Sequence, residues 1–276
     1  MKKAFLFCLV ILVAISVTAQ RKPKIKGNRV VTQVSETLSD FNAIVLEDDL
    51  DIVLRKSFGS GYEIEADDNL VDILKFKVED STLVISSFYK VTAKKKLDII
   101  VNFVDLNAIA AKDGKITCKN VISNEVFFID AFGNSKLDLR VDAGVMNLNM
   151  EENGSGDFNL DVDSLNVTMR GRTDASVYSV SGAKNIELGD NSNLKLEGTT
   201  DTLLANLSSN AKLRAQKLEA TTVDLNLLQS ADASVNAYRE IKLVSNGNSK
   251  TFLYGNPKII IEEFLDTSQL IKKKSN

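Results

Sequence analysis

The sequence predicts an all-β chain: a parallel β-solenoid of about eight short coils, preceded by a smaller β-rich portion with one short helix. Three observations lead there. A small-residue corner pattern recurs at near-constant spacing through the second half of the chain, apolar and polar residues alternate with period two between the corners, and residues 106–261 show almost no sustained 3.6-residue pattern.

The corner pattern is a turn residue, a small residue, any residue and then usually an apolar one. It occurs as Asp113-Gly114-Lys115-Ile116, Asn134-Ser135-Lys136-Leu137, Ser155-Gly156-Asp157-Phe158, Asp174-Ala175-Ser176-Val177, Asn191-Ser192-Asn193-Leu194, Asn210-Ala211-Lys212-Leu213, Asp232-Ala233-Ser234-Val235 and Asn248-Ser249-Lys250-Thr251. The steps between starts are 21, 21, 19, 17, 19, 22 and 16 residues, which is one solenoid coil each. Each coil buries its inner row only by having neighbours. In Leu137-Asp138-Leu139-Arg140-Val141-Asp142 the apolar members are expected to point inward and the charged members outward. Asn and Asp tolerate left-handed backbone angles, so 24 Asn against 14 Gly suggests that they carry many of the corners. A β-sandwich, which also has short strands and regular turns, is the rival architecture.

Ahead of the repeat, Phe41–Leu46, Leu50–Leu54, Tyr62–Ala66, Phe76–Val78, Thr82–Ser86 and Leu97–Val101 alternate as strands. Asp68–Leu74 begins with capping residues and has helical spacing at Leu70, Ile73 and Leu74. Met1-Lys2-Lys3, a short apolar run and Val17-Thr18-Ala19 have the plan of a cleaved secretory signal. The organisation expected is therefore a signal peptide at 1–19, an N-terminal tether at 20–37, the β-rich portion at 38–105, the solenoid at 106–261 and a C-terminal tail at 262–276. No later segment is long and apolar enough to span a bilayer as a helix, which needs ~20 residues.

Composition removes most alternatives. The 276 residues contain no histidine, which excludes Ser-His-Asp and Cys-His catalysis and imidazole metal ligation. A net charge of -3 gives no footprint for nucleic acid. Cys8 leaves with the signal, so Cys118 is a lone thiol, expected to be a small buried hydrophobe.

These residues resemble the putative auto-transporter adhesin head GIN domain family, secreted proteins found chiefly in Bacteroidetes-type bacteria. The resemblance runs from about Leu38 to Ile261, on Phe41-x-x-Ile44, Ile52-Val53-Leu54, Ile64-Glu65-Ala66-Asp67-Asp68-Asn69-Leu70, Leu83-Val84-Ile85, the Asn153-Gly154-Ser155-Gly156 corner and Tyr254-Gly255-Asn256-Pro257. It implies a right-handed parallel β-solenoid, exported, with no catalytic residues assigned.

Candidate sites are weighed against plainer roles. Asp138, Arg140 and Asp142, with Asp157, Asp161 and Asp163 on the next coil, could hold Ca²⁺ or act on a sugar chain, but interleaved charge favours a solvated face. Glu47-Asp48-Asp49 with Asp51, and Asp67-Asp68, fit turn and cap duty. Phe127, Phe128, Phe132, Tyr178, Tyr238 and Tyr254 could stack on sugar rings, although core and ladder packing is the simpler expectation. Lys94–Lys96 and Lys272–Lys274 fit a solvated loop and a solubilising terminus. No catalytic, cofactor or metal residue is assigned, and no cofactor is expected.

The function expected is that of an exported, non-enzymatic, adhesin-like or structural surface protein, secreted, periplasmic or on the outer cell surface. Its partner is an unidentified surface ligand, a glycan or an envelope protein, and the open ends of a solenoid allow homo-oligomers. The alternatives are a carbohydrate-active enzyme using Asp or Glu on the solenoid face, and an envelope assembly scaffold without its own ligand.

Overall fold

The computed structural model describes residues 22–274; the signal segment lies outside the described residues. Among the described residues are twenty strands and one short helix, beginning with β1 (Lys24–Lys26), β2 (Val31–Thr37), β3 (Ala43–Leu46), β4 (Asp51–Lys56), β5 (Gly61–Asp67), α1 (Asp68–Val71), β6 (Leu74–Glu79), β7 (Thr82–Ser87), β8 (Lys90–Ala93), β9 (Leu97–Phe103) and β10 (Ala108–Ala111). The long coil strands are β11 (Lys115–Ala131), β12 (Lys136–Met150), β13 (Ser155–Met169), β14 (Asp174–Leu188), β15 (Asn193–Leu207), β16 (Lys212–Leu227) and β17 (Asp232–Ser245). The last turn comprises β18 (Lys250–Gly255), β19 (Lys258–Phe264) and β20 (Gln269–Lys272). The described chain forms a β-solenoid of about 9 turns rather than the rival sandwich, its long strands stacking in parallel on their successors.

Each long strand makes two faces. In β12, Leu137, Leu139 and Val141 are buried on the first face, the phase then shifts at Gly144-Val145, and Met146, Leu148 and Met150 are buried on the second. Successive coils pair in parallel and in register, Leu137 beside Gly156 and Met146 beside Leu165. The parallel stacking does not begin at residue 106. β3 pairs with β10, and β4 with the first part of β11, so the N-terminal portion supplies the first rungs.

The corners correct the sequence reading in two ways. The register aligns Lys136, Ser155, Asp174, Asn193, Lys212, Asp232 and Lys250, so the repeat units start at residues 113, 134, 153, 172, 191, 210, 230 and 248. The copies read from Ser155, Asp174 and Asp232 therefore sit two residues late. The slip arises because Gly156, Ala175 and Ala233 are small inward residues two positions beyond the true corner, and a two-residue slip preserves the inside-outside parity of a strand.

Asparagine does not carry the left-handed corners. That position is occupied along the stack by Gly133, Glu152, Gly171, Asp190, Ser209, Gln229, Gly247 and Asp266, all with positive φ. Small and long side chains alternate, and each long one reaches back a coil. Glu152 accepts from the N–H of Gly133 at 3.1 Å, Asp190 from Gly171 at 2.9 Å, Gln229 from Ser209 at 2.6 Å and Asp266 from Gly247 at 3.1 Å. The acceptor side chain thus satisfies a turn N–H that the ladder leaves unpaired. Asparagine serves instead in an outward ladder: Asn166 donates to Asn147 at 3.0 Å and Asn185 to Asn166 at 2.9 Å.

The described part of the expected tether is structured. β1 pairs in parallel with β8, and β2 pairs antiparallel with β5. Asp67 holds this arrangement. Asp67 occupies the position before α1 but makes no cap bond, and α1 stops at Val71, shorter than the sequence pattern implied. Its buried carboxylate instead accepts from the backbone N–H groups of Lys95 at 3.0 Å, Lys96 at 3.2 Å and Arg29 at 3.3 Å. These bonds, that from Lys95 foremost, hold its carboxyl below the usual carboxylate range. The stabilisation is present above the unfolded value near about 4 and lost as pH falls through the lower folded value. Asp67→Ala is expected to speed amide exchange at Arg29, Lys95 and Lys96 at neutral pH, and wild-type rates at these three amides after the change would contradict the latch.

The expected tail is a further rung. β19 pairs with β17, and β20 with β18, extending the solenoid to Lys272.

Candidate functional site

The core is apolar along nearly every inward column. One column reads Phe127, Met146, Leu165, Lys184, Leu203, Val223 and Ile241, and Lys184 is fully buried in it. Opposite, the column Val141, Leu160, Ser179, Gly198, Leu218 becomes small where the lysine arrives. Its Nζ donates to the Ser181 hydroxyl at 2.6 Å, the Thr199 carbonyl at 2.9 Å and the Ser179 carbonyl at 3.2 Å, so all three protons have acceptors. Burial pushes its pKa down to about 8. The sequence reading missed it, although Lys184 is in phase with the buried Ile186 and Leu188. It belongs to the interior and faces no ligand.

Cys118 is also interior, with burial pushing the thiol up to about 11, far from the thiolate that reactivity needs. The acidic cluster at 47–49 is tied down by lysines: Glu47 to Lys112 at 2.9 Å, Asp49 to Lys90 at 3.5 Å, and Asp48 to Lys22. Asp48 also accepts from the N–H of Ser87 at 2.8 Å. Fold support accounts for these carboxylates.

On the outward side of the first face, the register sets Asp138 beside Asp157, Arg140 beside Asn159 and Asp142 beside Asp161. The next coil contributes Ser176 and Tyr178 to the first two rows. A depression of about 270 Å³ lies at Lys115, Lys136, Asp138, Asp157 and Asp174, with lysines interleaved among the acids. Among the described residues no group of three or more Cys, Asp or Glu is arranged to hold a metal ion.

The aromatic residues divide by strand parity. Phe127 is in the core, whereas Tyr178 and Tyr238 are 50% and 55% exposed, so core packing does not account for these two tyrosines. Tyr238 stands at the bend between the two faces of its coil, over a groove of about 740 Å³ lined by Gln216, Lys217, Glu219, Asn236, Tyr254 and Gly255. The groove continues past Tyr238 and Gly255 into a second space of about 820 Å³ at Asn256 and Lys272–Lys274. Gly255 is required here. Its φ is +76°, and a Cβ would lie 2.2 Å from the carbonyl oxygen of Ala237. Lys272 donates to the Gly255 carbonyl and so brings the basic terminus to the groove wall. The Oε1 of Gln216 is buried behind the groove wall without a hydrogen-bond donor. Sequence reasoning had the tyrosines but not the amides, which belong to different coils.

The architecture is found elsewhere. A putative adhesin from Parabacteroides distasonis superposes with a TM-score of 0.67 at 17% identity, covering 91% of this chain and 100% of that one. A putative adhesin from Parabacteroides merdae gives 0.62 at 19%, covering 92% and 98%. A structure described as a putative lipid binding protein from Parabacteroides distasonis gives 0.60 at 18%, covering 91% and 98%. At such identities the likeness concerns the fold. No curated protein matches the chain. Among the described residues no helix is long and apolar enough to cross a membrane. The family model described as putative auto-transporter adhesin, head GIN domain, matches residues 40–184 and again 153–257, thereby spanning the N-terminal rungs, the coils and the tyrosine groove; the chain belongs to that family.

Proposed function

We propose that this chain is an exported, non-enzymatic binding protein of the bacterial cell envelope, and that it takes a glycan along the groove of its C-terminal coils. The observation that carries the reading is the groove under Tyr238. An exposed aromatic ring, the amides of Gln216 and Asn236 and the flanking lysines and Glu219 are the side chains that stack on and hydrogen-bond to sugar rings. Membership in a family of putative adhesins supports a binding role, and the secretory plan of residues 1–19 supports export.

Binding of the protein to immobilised glycans and to whole cells tests this. Tyr238→Ala is expected to weaken retention roughly tenfold, the worth of one stacking contact. No retention of the wild-type protein on either surface would overturn the reading and leave envelope scaffolding.

One observation favours a second reading. The rows Asp138/Asp157 and Asp142/Asp161 set two carboxylates side by side on adjacent strands, and a pair of acids is what sugar hydrolysis uses. Hydrolysis of a polysaccharide panel that disappears in Asp138→Asn or Asp161→Asn would establish it, and an inactive panel would remove it.

A further inference from the structure

The two ends of the solenoid are built differently. At the N-terminal end, Tyr62 of β5 stacks on Phe76 of β6 at 4.0 Å and covers the core there, and Leu70 of α1 is fully buried. The outer strand β6 carries Lys75, Lys77 and Glu79 as exposed residues on alternate positions, charges that discourage further strand pairing. At the C-terminal end, among the described residues, no stacked ring pair covers the core, and the charges of β19, Lys258, Glu262 and Glu263, flank its edge instead of alternating through it. β19 pairs with β17 on one side only, and its inward positions Ile259 and Ile261 are 44% and 52% exposed although they continue the buried column positions of Ile241 and Leu243. Phe264, which pairs with Ser245 beyond a bulge at Glu262, is 39% exposed, and Leu265 is 48% exposed. The middle of this edge is three consecutive isoleucines, Ile259-Ile260-Ile261, without a charge.

We infer that two copies of this chain associate tail to tail, β19 pairing antiparallel with the β19 of a second copy about a two-fold axis at Ile260. The occupant follows from the sequence of the strand. Centred on Ile260, antiparallel pairing sets Lys258 opposite Glu262 of the other copy and Ile259 opposite Ile261, twice each by symmetry. Opposed residues of an antiparallel pair share a face, so the isoleucines meet on the core side and close both open cores at once. Lys258 lies 3.4 Å from Glu240 yet remains 70% exposed, free to bridge Glu262 as well. The closed N-terminal end offers no equivalent edge, so the assembly stops at two. This inference stands independently of the glycan groove.

Sedimentation over a wide concentration range, on the chain from Gln20 onward, is expected to show a monomer–dimer equilibrium. Ile261→Lys is expected to weaken the dimer at least tenfold. Lys258→Glu and Glu262→Lys are each expected to weaken it, and the double swap to restore it. Ile260→Cys is expected to give a disulfide-linked dimer on oxidation, since directly opposed residues have Cα atoms about 4.5–5.5 Å apart, within disulfide reach. A wild-type chain that stays monomeric, open-ended polymers, or a dimer indifferent to Ile261→Lys and to the charge swaps would each overturn the inference.

Discussion

Gly198→Ala is expected to destabilise the protein by roughly 2–5 kcal/mol, the sum of a disfavoured backbone angle and forced overpacking. Gly198 has φ +111°, outside what side-chain-bearing residues adopt, and a Cβ there would stand 2.2 Å from the carbonyl oxygen of Ser179. That carbonyl is backbone in the adjacent coil and is also an acceptor for Lys184, so it cannot give way without opening the ladder or uncovering the ammonium. Because each coil touches only its neighbours, the damage should begin locally. Urea unfolding should report the loss, and amide exchange should rise first in β14 and β15. Gly182→Ala is the internal control. Its nearest neighbour, the Asp163 carbonyl oxygen, would be 3.5 Å from the new Cβ, so that substitution should be close to neutral.

Lys184→Met is expected to do the reverse, stabilising the protein by about 1–3 kcal/mol at pH 7. Methionine keeps the aliphatic volume between Leu165 and Leu203 and the space left by Ser179 and Gly198, while removing a charge for which no carboxylate lies within ion-pair distance among the described residues. The loss of three hydrogen bonds offsets part of the gain. The sign with pH follows from linkage. The lysine is charged in both states below pH 8, and between about 8 and the unfolded value of 10.5 the unfolded chain binds more protons, so wild-type stability gains with rising pH from this group. The advantage of the methionine variant should therefore be greatest below pH 8 and shrink by up to about 3 kcal/mol by pH 10 to 11. Paired denaturant titrations at pH 7 and pH 10 measure the difference directly; a constant gap would contradict a buried, titrating Lys184.

Much of the fold was legible because a solenoid repeats a local rule. Strand parity placed Leu137, Leu139 and Val141 inward and Asp138, Arg140 and Asp142 outward without knowledge of any neighbour, and small residues at Ser135, Ser192, Ala211 and Ser249 marked true corners. The same parity made the reading fail at Ser155, Asp174 and Asp232, where an error of two residues leaves inside and outside unchanged. β2 reads as part of a tether, with Val30, Val31 and Val34 only a hint of a strand, because its pairing with β5 lies about 30 residues away and its own pattern, Val-Thr-Gln-Val-Ser-Glu-Thr, is largely polar. Of the candidate site, the tyrosines were visible as residue types, but their exposure was not.

The amino-acid sequence alone determined the class of the fold, the length of the coil and the exclusion of histidine chemistry, because each depends on composition or on spacing along one strand. The tertiary structure alone decided the left-handed corner chain from Gly133 to Asp266, the burial of Lys184, the latch at Asp67 and the unmatched closure of the two ends. Those features are relations between coils about 19 residues apart or between distant strands, and register, which stacking energy sets, is what brings the partners together.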